Sequence, residues 1–123
     1  MSTIMFVDDE EMILDLLQEY MSQAYGHDVI IAHGGVKAVE RYKKQWKEID
    51  LVVLDMMMPD LNGCQVYEEM KKVNPNIHAI VMSGYCPDDM KQSMMKYGCK
   101  FLQKPVMMGV LHDEIMNVMK QVG

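Results

Sequence analysis

An α/β sandwich around a single doubly wound, five-stranded parallel sheet is the fold this sequence predicts, and three observations predict it. Segments of strand length and apolar character alternate with segments of helical period along the whole chain. Leu51-Val52-Val53-Leu54 is apolar at every position, which marks a strand covered on both faces, as in a parallel sheet. The 123 residues, 50% apolar and 24% charged, suit one globular domain spanning residues 1–123, with no linker, repeat or low-complexity stretch to divide it.

The elements follow in order. Thr3 to Val7 reads as a strand that runs into Asp8-Asp9-Glu10-Glu11; Ile13, Leu16, Leu17, Tyr20 and Met21 then recur at helical spacing until Gly26 closes the helix. Asp28 to Ala32 is the second strand, and Val36, Val39, Tyr42 and Trp46 line one face of the second helix. The third strand ends at Asp55. Beyond the loop Pro59 to Gly63, Val66, Tyr67, Met70 and Val73 define a third helix, stopped by Asn74-Pro75-Asn76. Ala79 to Met82 is the fourth strand, ending at Ser83-Gly84. Pro87-Asp88-Asp89 opens a helix carrying Met90, Met94 and Tyr97, which Gly98 caps. Lys100 to Gln103 is a short fifth strand before Lys104-Pro105, and Leu111, Ile115, Val118 and Val122 form the core stripe of the last helix. Beside that stripe, Met108, His112, Met116 and Met119 are spaced as a second apolar face that either edges the core or meets a partner.

Composition removes several functions. Twelve basic against 18 acidic residues give a net charge of −6, and Arg41 is the one arginine, so direct nucleic-acid binding by this chain is not expected. Cys64, Cys86 and Cys99 lack C-x-x-C spacing and read as reduced thiols of a cytoplasmic protein. Apolar runs are too short for a membrane span and there is no signal-peptide pattern. The 16 methionines, scattered through every element, read as adaptable core filler rather than a copper site. No phosphate-binding glycine loop of a nucleotide-binding protein occurs.

In an open α/β sheet the ligand site lies beyond the carboxyl ends of the strands. Those ends carry Asp8, Asp9, Asp55, Ser83 and Lys104. Taken singly, each has a plain reading: Asp8, for example, has capping-box spacing to Glu11. Together they deliver three carboxylates, a hydroxyl and an ammonium to one edge. Carboxylates about 5 Å apart repel by about 3 kcal/mol per pair at an effective dielectric near 20, so the edge asks for a hard divalent cation with oxygen ligands, Mg2+, and with it a phosphoryl group. An aspartyl phosphatase would carry a second acid two residues after Asp55, where Met57 stands.

These separated motifs resemble the receiver domain of bacterial two-component response regulators over essentially the whole chain: Val7-Asp8-Asp9-Glu10, Leu54-Asp55-Met56-Met57-Met58-Pro59 with Asn62-Gly63, Ser83-Gly84 and Lys104-Pro105. The resemblance implies a flavodoxin-like strand order 2-1-3-4-5 and a cis Lys104-Pro105 bond. It implies that Asp55 is the phosphoacceptor, that Asp8, Asp9, Asp55 and the backbone carbonyl of Met57 bind Mg2+, that Lys104 pairs with the phosphoryl group, and that Ser83 and Phe101 are the switch residues. The expected donor is a phosphohistidine on a sensor histidine kinase or a phosphotransfer protein, and the expected output is a change in the surface of the fourth helix, fifth strand and fifth helix. Such a domain is a switch rather than a turnover enzyme. Phe101 stands where the family often has tyrosine, and Met57 and Tyr85 occupy variable positions flanking the phosphorylation site, where they are expected to shield a phosphoryl group from water. Two other readings use the same residues: a receiver-like module that works without phosphorylation, and a Mg2+-dependent phosphatase.

Overall fold

Parallel strands buried on both faces carry apolar residues at successive positions, and this chain uses the two sets to make two cores. The computed structural model describes residues 2–122. In chain order the elements are β1 (Thr3–Asp8), α1 (Glu11–Tyr25), β2 (Asp28–His33), α2 (Gly35–Gln45), β3 (Leu51–Asp55), α3 (Gly63–Val73), β4 (Ala79–Ser83), α4 (Asp88–Lys96), β5 (Lys100–Gln103) and α5 (Met108–Val122), with a 3-10 turn at Trp46–Glu48. All strand pairs are parallel and the order is β2-β1-β3-β4-β5, as the family resemblance implied. Met5, Val7, Val52, Leu54 and Val81 face one core with α2, α3 and α4; Ile4, Phe6, Val53, Ile80 and Met82 face the other with α1 and α5.

The helices refine the sequence reading. On α1 the buried residues are Leu14, Leu17 and Met21, while Leu16 and Tyr20 are exposed. On α2 Ala38 takes the core position beside Val39 and Tyr42, and Val36 is exposed. Met94 alone is buried on α4; Tyr97 leaves the core and lies against Tyr67, ring centroids 5.1 Å apart. Met108 and Met119 pack at the edge of the α5 core, so that face belongs largely to the core boundary; the side chain of Val122 lies outside the described residues. Gly26 and Gly98 close α1 and α4 with φ of 72° and 80°, the left-handed conformation that a Cβ penalises. Met5, Met21, Met56, Met70, Met82 and Met94 are core residues, and among the described residues no helix is long and apolar enough to cross a membrane.

The start of α2 is held from elsewhere in the chain. Its cap position, Gly34, has no side chain, and the Asp60 carboxylate accepts the N–H groups of Gly35 at 3.0 Å and Val36 at 2.9 Å instead. The same carboxylate accepts Leu61 N–H at 2.8 Å, so one side chain fixes both α2 and the loop after β3. These bonds hold the Asp60 carboxyl below its ordinary pKa. A depressed carboxyl contributes stability above its unfolded pKa of 3.8 and loses it as pH falls further. Asp60→Ala is therefore expected to lower the unfolding free energy by about 1 kcal/mol near neutral pH, measured by urea denaturation, with the difference from the parent shrinking in acid.

Candidate functional site

Strand register assembles the site. Val7 pairs with Leu54, so Asp8 and Asp55 emerge side by side at the ends of β1 and β3. Asp55 pairs with Met82 and Ser83 with Gln103, which brings Ser83 and Lys104 to the same edge. Gly63 lets the loop after β3 fold tightly under Asp55: its N–H donates to the Met56 carbonyl at 2.7 Å, and a Cβ there would meet the Asp55 carbonyl oxygen and Met56 Cα at 3.0 Å. At the head of α3, Asn62 and Gln65 form a reciprocal capping box.

Asp8, Asp55 and Ser83 are buried, whereas Asp9 is exposed. Lys104 reaches between the two buried carboxylates, its Nζ lying 3.2 Å from Asp55 Oδ1 and 3.5 Å from Asp8 Oδ2. Asp8 does not make the capping box its spacing to Glu11 allowed; its Oδ1 accepts the Glu10 N–H at 3.0 Å, and α1 has no side-chain cap. Among the described residues two buried oxygens have no hydrogen-bond partner: Asp8 Oδ2, whose one neighbour of opposite charge is Lys104, and Ser83 Oγ. Buried polar atoms are rarely left so, and these two sit on the same sheet edge.

One ammonium between two buried carboxylates leaves the edge negative. Burial and the neighbouring Asp8 push the Asp55 carboxyl up to about 6, against the pull of Lys104 and the Met57 N–H. Lys104 is held above its ordinary pKa: Asp55 and Asp8 favour its charge by more than burial opposes it. Carboxylate oxygens of Asp8, Asp9 and Glu10 lie within 4.8 Å of one another. Glu10 was not among the expected ligands; its signal was the unbroken acidic run from Asp8 to Glu11. An all-oxygen donor set that includes a buried carboxylate oxygen without a hydrogen bond fits a hard divalent cation.

Of the two flanking residues, Met57 is 50% exposed and Tyr85 74% exposed. Phe101 is half-buried, with Lys91 Nζ 6.0 Å from its ring centroid. A cleft of about 400 Å³ lined by Ser83, Cys86, Lys91 and Phe101 separates the two switch candidates. The Lys104-Pro105 bond is cis.

Comparison with known proteins gives a consistent set of relatives. Residues 4–116 match the response regulator receiver domain family. The chemotaxis protein CheY of Thermotoga maritima is 34% identical over 104 residues, 83% of this chain and 84% of that protein. A response regulator receiver domain protein from Clostridium thermocellum has a structure that superposes with a TM-score of 0.90 at 29% identity, covering 98% of this chain and 96% of that one. Larger relatives match as well: the sensor kinase CckA of Brucella abortus is 29% identical over 98% of this chain, which spans only 13% of its length, and the chain spans 31% and 23% of two other multidomain relatives.

The Asp55 environment makes a direct forecast. A carboxyl whose folded pKa lies above its unfolded 3.8 favours folding most below that value, and the contribution disappears as pH rises through about 6. Asp55→Asn, which carries no charge, should therefore raise the unfolding free energy near pH 7.5 by about 1–2 kcal/mol, with an advantage that fades toward pH 4. Urea unfolding at the two pH values measures it, and an unchanged or lowered stability at the higher pH would contradict the electrostatics described above.

Proposed function

This chain belongs to the response regulator receiver domain family of two-component signalling, and on that premise we propose that residues 1–123 act as one Mg2+-dependent phosphoacceptor switch with Asp55 as the acceptor. The observation that carries the reading is Lys104 between Asp55 and Asp8, with the buried Ser83 hydroxyl beside it free of any hydrogen bond. A site that already holds too little positive charge, and keeps a hydroxyl unengaged, is suited to receive a cation and a phosphoryl group together.

In the proposed reaction a carboxylate oxygen of Asp55 attacks the phosphorus of a phosphohistidine in line. The P–N bond breaks, its electron pair returns to the donor's imidazole, and an acyl phosphate forms on Asp55. Asp8, Asp9, Asp55 and the Met57 carbonyl would hold Mg2+, which supplies charge neutralisation at the phosphoryl oxygens. Lys104, now paired with the carboxylate, would transfer its contact to a phosphoryl oxygen, and Ser83 Oγ would donate to another. The donor would be a sensor histidine kinase or a phosphotransfer protein. Exposed Met12, Leu16 and Tyr20 on α1, a row that starts beside the acidic edge and runs away from it along the helix, offer it an apolar landing surface.

Phosphorylation adds charge and strong acceptor oxygens. Ser83 drawn toward them would widen the cleft that Phe101 borders, letting the ring move inward and reshaping the surface of α4, β5 and α5. Moving such a two-state equilibrium from 1:99 to 99:1 takes about 5.5 kcal/mol of differential stabilisation. This is regulation by occupancy, not turnover, and it takes place in the cytoplasm, without direct contact of this chain with nucleic acid or membrane.

The test is intact-protein mass after incubation with Mg2+ and acetyl phosphate. The parent should gain one phosphate-sized increment that Asp55→Asn and chelation both abolish. An increment that persists in Asp55→Asn moves the acceptor elsewhere; no increment in a chain that also fails to bind Mg2+ would favour a module that works without phosphorylation.

A further inference from the structure

Away from the acidic edge, the corner between α1 and β2 carries an arrangement that phosphotransfer does not use. His27, at the start of β2, is buried, and its Nε2 lies 3.0 Å from Nε2 of His112 in the first turns of α5. The two ring centroids are 5.1 Å apart, which exceeds the nitrogen separation by roughly two half-rings, so the imidazoles meet nearly end to end. Tyr25, the last residue of α1, stacks on the face of the His112 ring with centroids 3.3 Å apart and planes 4° from parallel. The three rings join α1, β2 and α5 at a place where α1 and α5 otherwise touch sparsely.

End-on imidazoles have restricted proton chemistry. One Nε2 must donate and the other accept, so the contact holds one proton between the two nitrogens. A second would set N–H against N–H at 3.0 Å and break it. A metal ion between them would need about 2.0–2.1 Å to each nitrogen, which end-on rings at this separation do not provide. His27 Nδ1 is buried and has no hydrogen-bond partner, so a charged His27 would have neither water nor an acceptor there. His112 is only partly buried and has Asp113 beside it in sequence, so a first proton is better held on His112.

We propose that His27 and His112 form a one-proton latch that ties α5 to the α1–β2 corner at neutral pH and opens when His27 is protonated. The groups around the latch are few: Tyr20 and Tyr25 from α1, Asp28 following His27 on β2, and Asp113 on α5. Burial, and for His27 the proximity of His112, hold both histidines below the ordinary 6.5. The unfolded or opened state therefore binds more protons over the window beneath 6.5; the latch's contribution is present above that value and is lost as pH falls. This runs against Asp55, whose contribution grows as pH falls through about 6, so the two are separable by sign.

Imidazole nitrogen–proton correlation spectra of the full chain, recorded from pH 8 to 5 with α5 amide protection followed in parallel, test the latch. In the parent, His27 should remain neutral until α5 protection begins to fall, and α5 should lose protection between pH 7.5 and pH 5. His27→Gln and His112→Gln keep a polar side chain that cannot take the proton, and each should abolish the acid-induced loss. If either variant fails to fold, the parent spectra decide alone. Two histidines titrating independently near 6.5 with unchanged α5 protection would overturn the proposal, as would tight Zn2+ or Ni2+ binding that shifts both imidazoles together.

Discussion

The ion triad of Asp8, Lys104 and Asp55 is the constraint on which the acidic edge depends. It joins the ends of β1 and β3 to the residue that follows β5, and it is short of positive charge: two buried carboxylates share one ammonium. A pair lacking part of its compensation costs stability where a complete pair would be nearly neutral. Burial first, and then the second carboxylate of Asp8, raise the Asp55 carboxyl. Stability given up there keeps a carboxylate desolvated and leaves the Ser83 hydroxyl free of a hydrogen bond. A fully satisfied triad would be more stable and chemically inert.

The parallel sheet makes such a triad possible. Strand register in a parallel sheet buried on both faces is fixed by two cores at once, since a slip of one residue would exchange the side chains belonging to each. Ile4 and Phe6 lie in one cluster and Met5 and Val7 in the other, and β3 and β4 divide in the same way. The carboxyl ends are thereby placed without help from the residues that do chemistry there. This is why acidic and unpaired groups are tolerated at the edge, and why the fold alone does not assign the function.

What could be read from the sequence follows this division of labour. Strands with apolar residues at every position announce themselves, and their ends then identify Asp8, Asp55, Ser83 and Lys104 without knowledge of any contact. Helical faces were less legible. A helix with apolar residues on more than one side does not say which side is covered: on α1 the spacing includes exposed Leu16 and omits buried Leu14, and on α2 it includes exposed Val36 and omits buried Ala38. Least legible were side chains that act across the chain. Asp60 caps α2 from 24 and 25 residues away, and His112 meets His27 across 85. Neither contact has a periodicity or a spacing that could signal it. The exposure of Met57 and Tyr85 is likewise set by the paths of the loops after β3 and β4, which only the tertiary structure gives.

α5 connects the two proton-sensitive places in the molecule. It begins at Met108, shortly after Lys104 leaves the acidic edge, and reaches His112 one turn later. Its core stripe, Leu111, Ile115 and Val118, is buried against the sheet and fixes the helix axis. The stripe leaves rotation and small shifts of its first turns to weaker contacts, and there the histidine pair is the polar tie to the α1–β2 corner. Helix shifts of one or two ångströms are an ordinary means by which packed elements switch. A charge added at the Lys104 end and a proton added at the His112 end would therefore act on the same few residues, by different forces. Charge at the acidic edge would act through Lys104 and the short loop behind it, whereas protonation would remove the His27–His112 contact. Separate origins of that kind allow one helix to respond to two inputs without either site containing the other's residues.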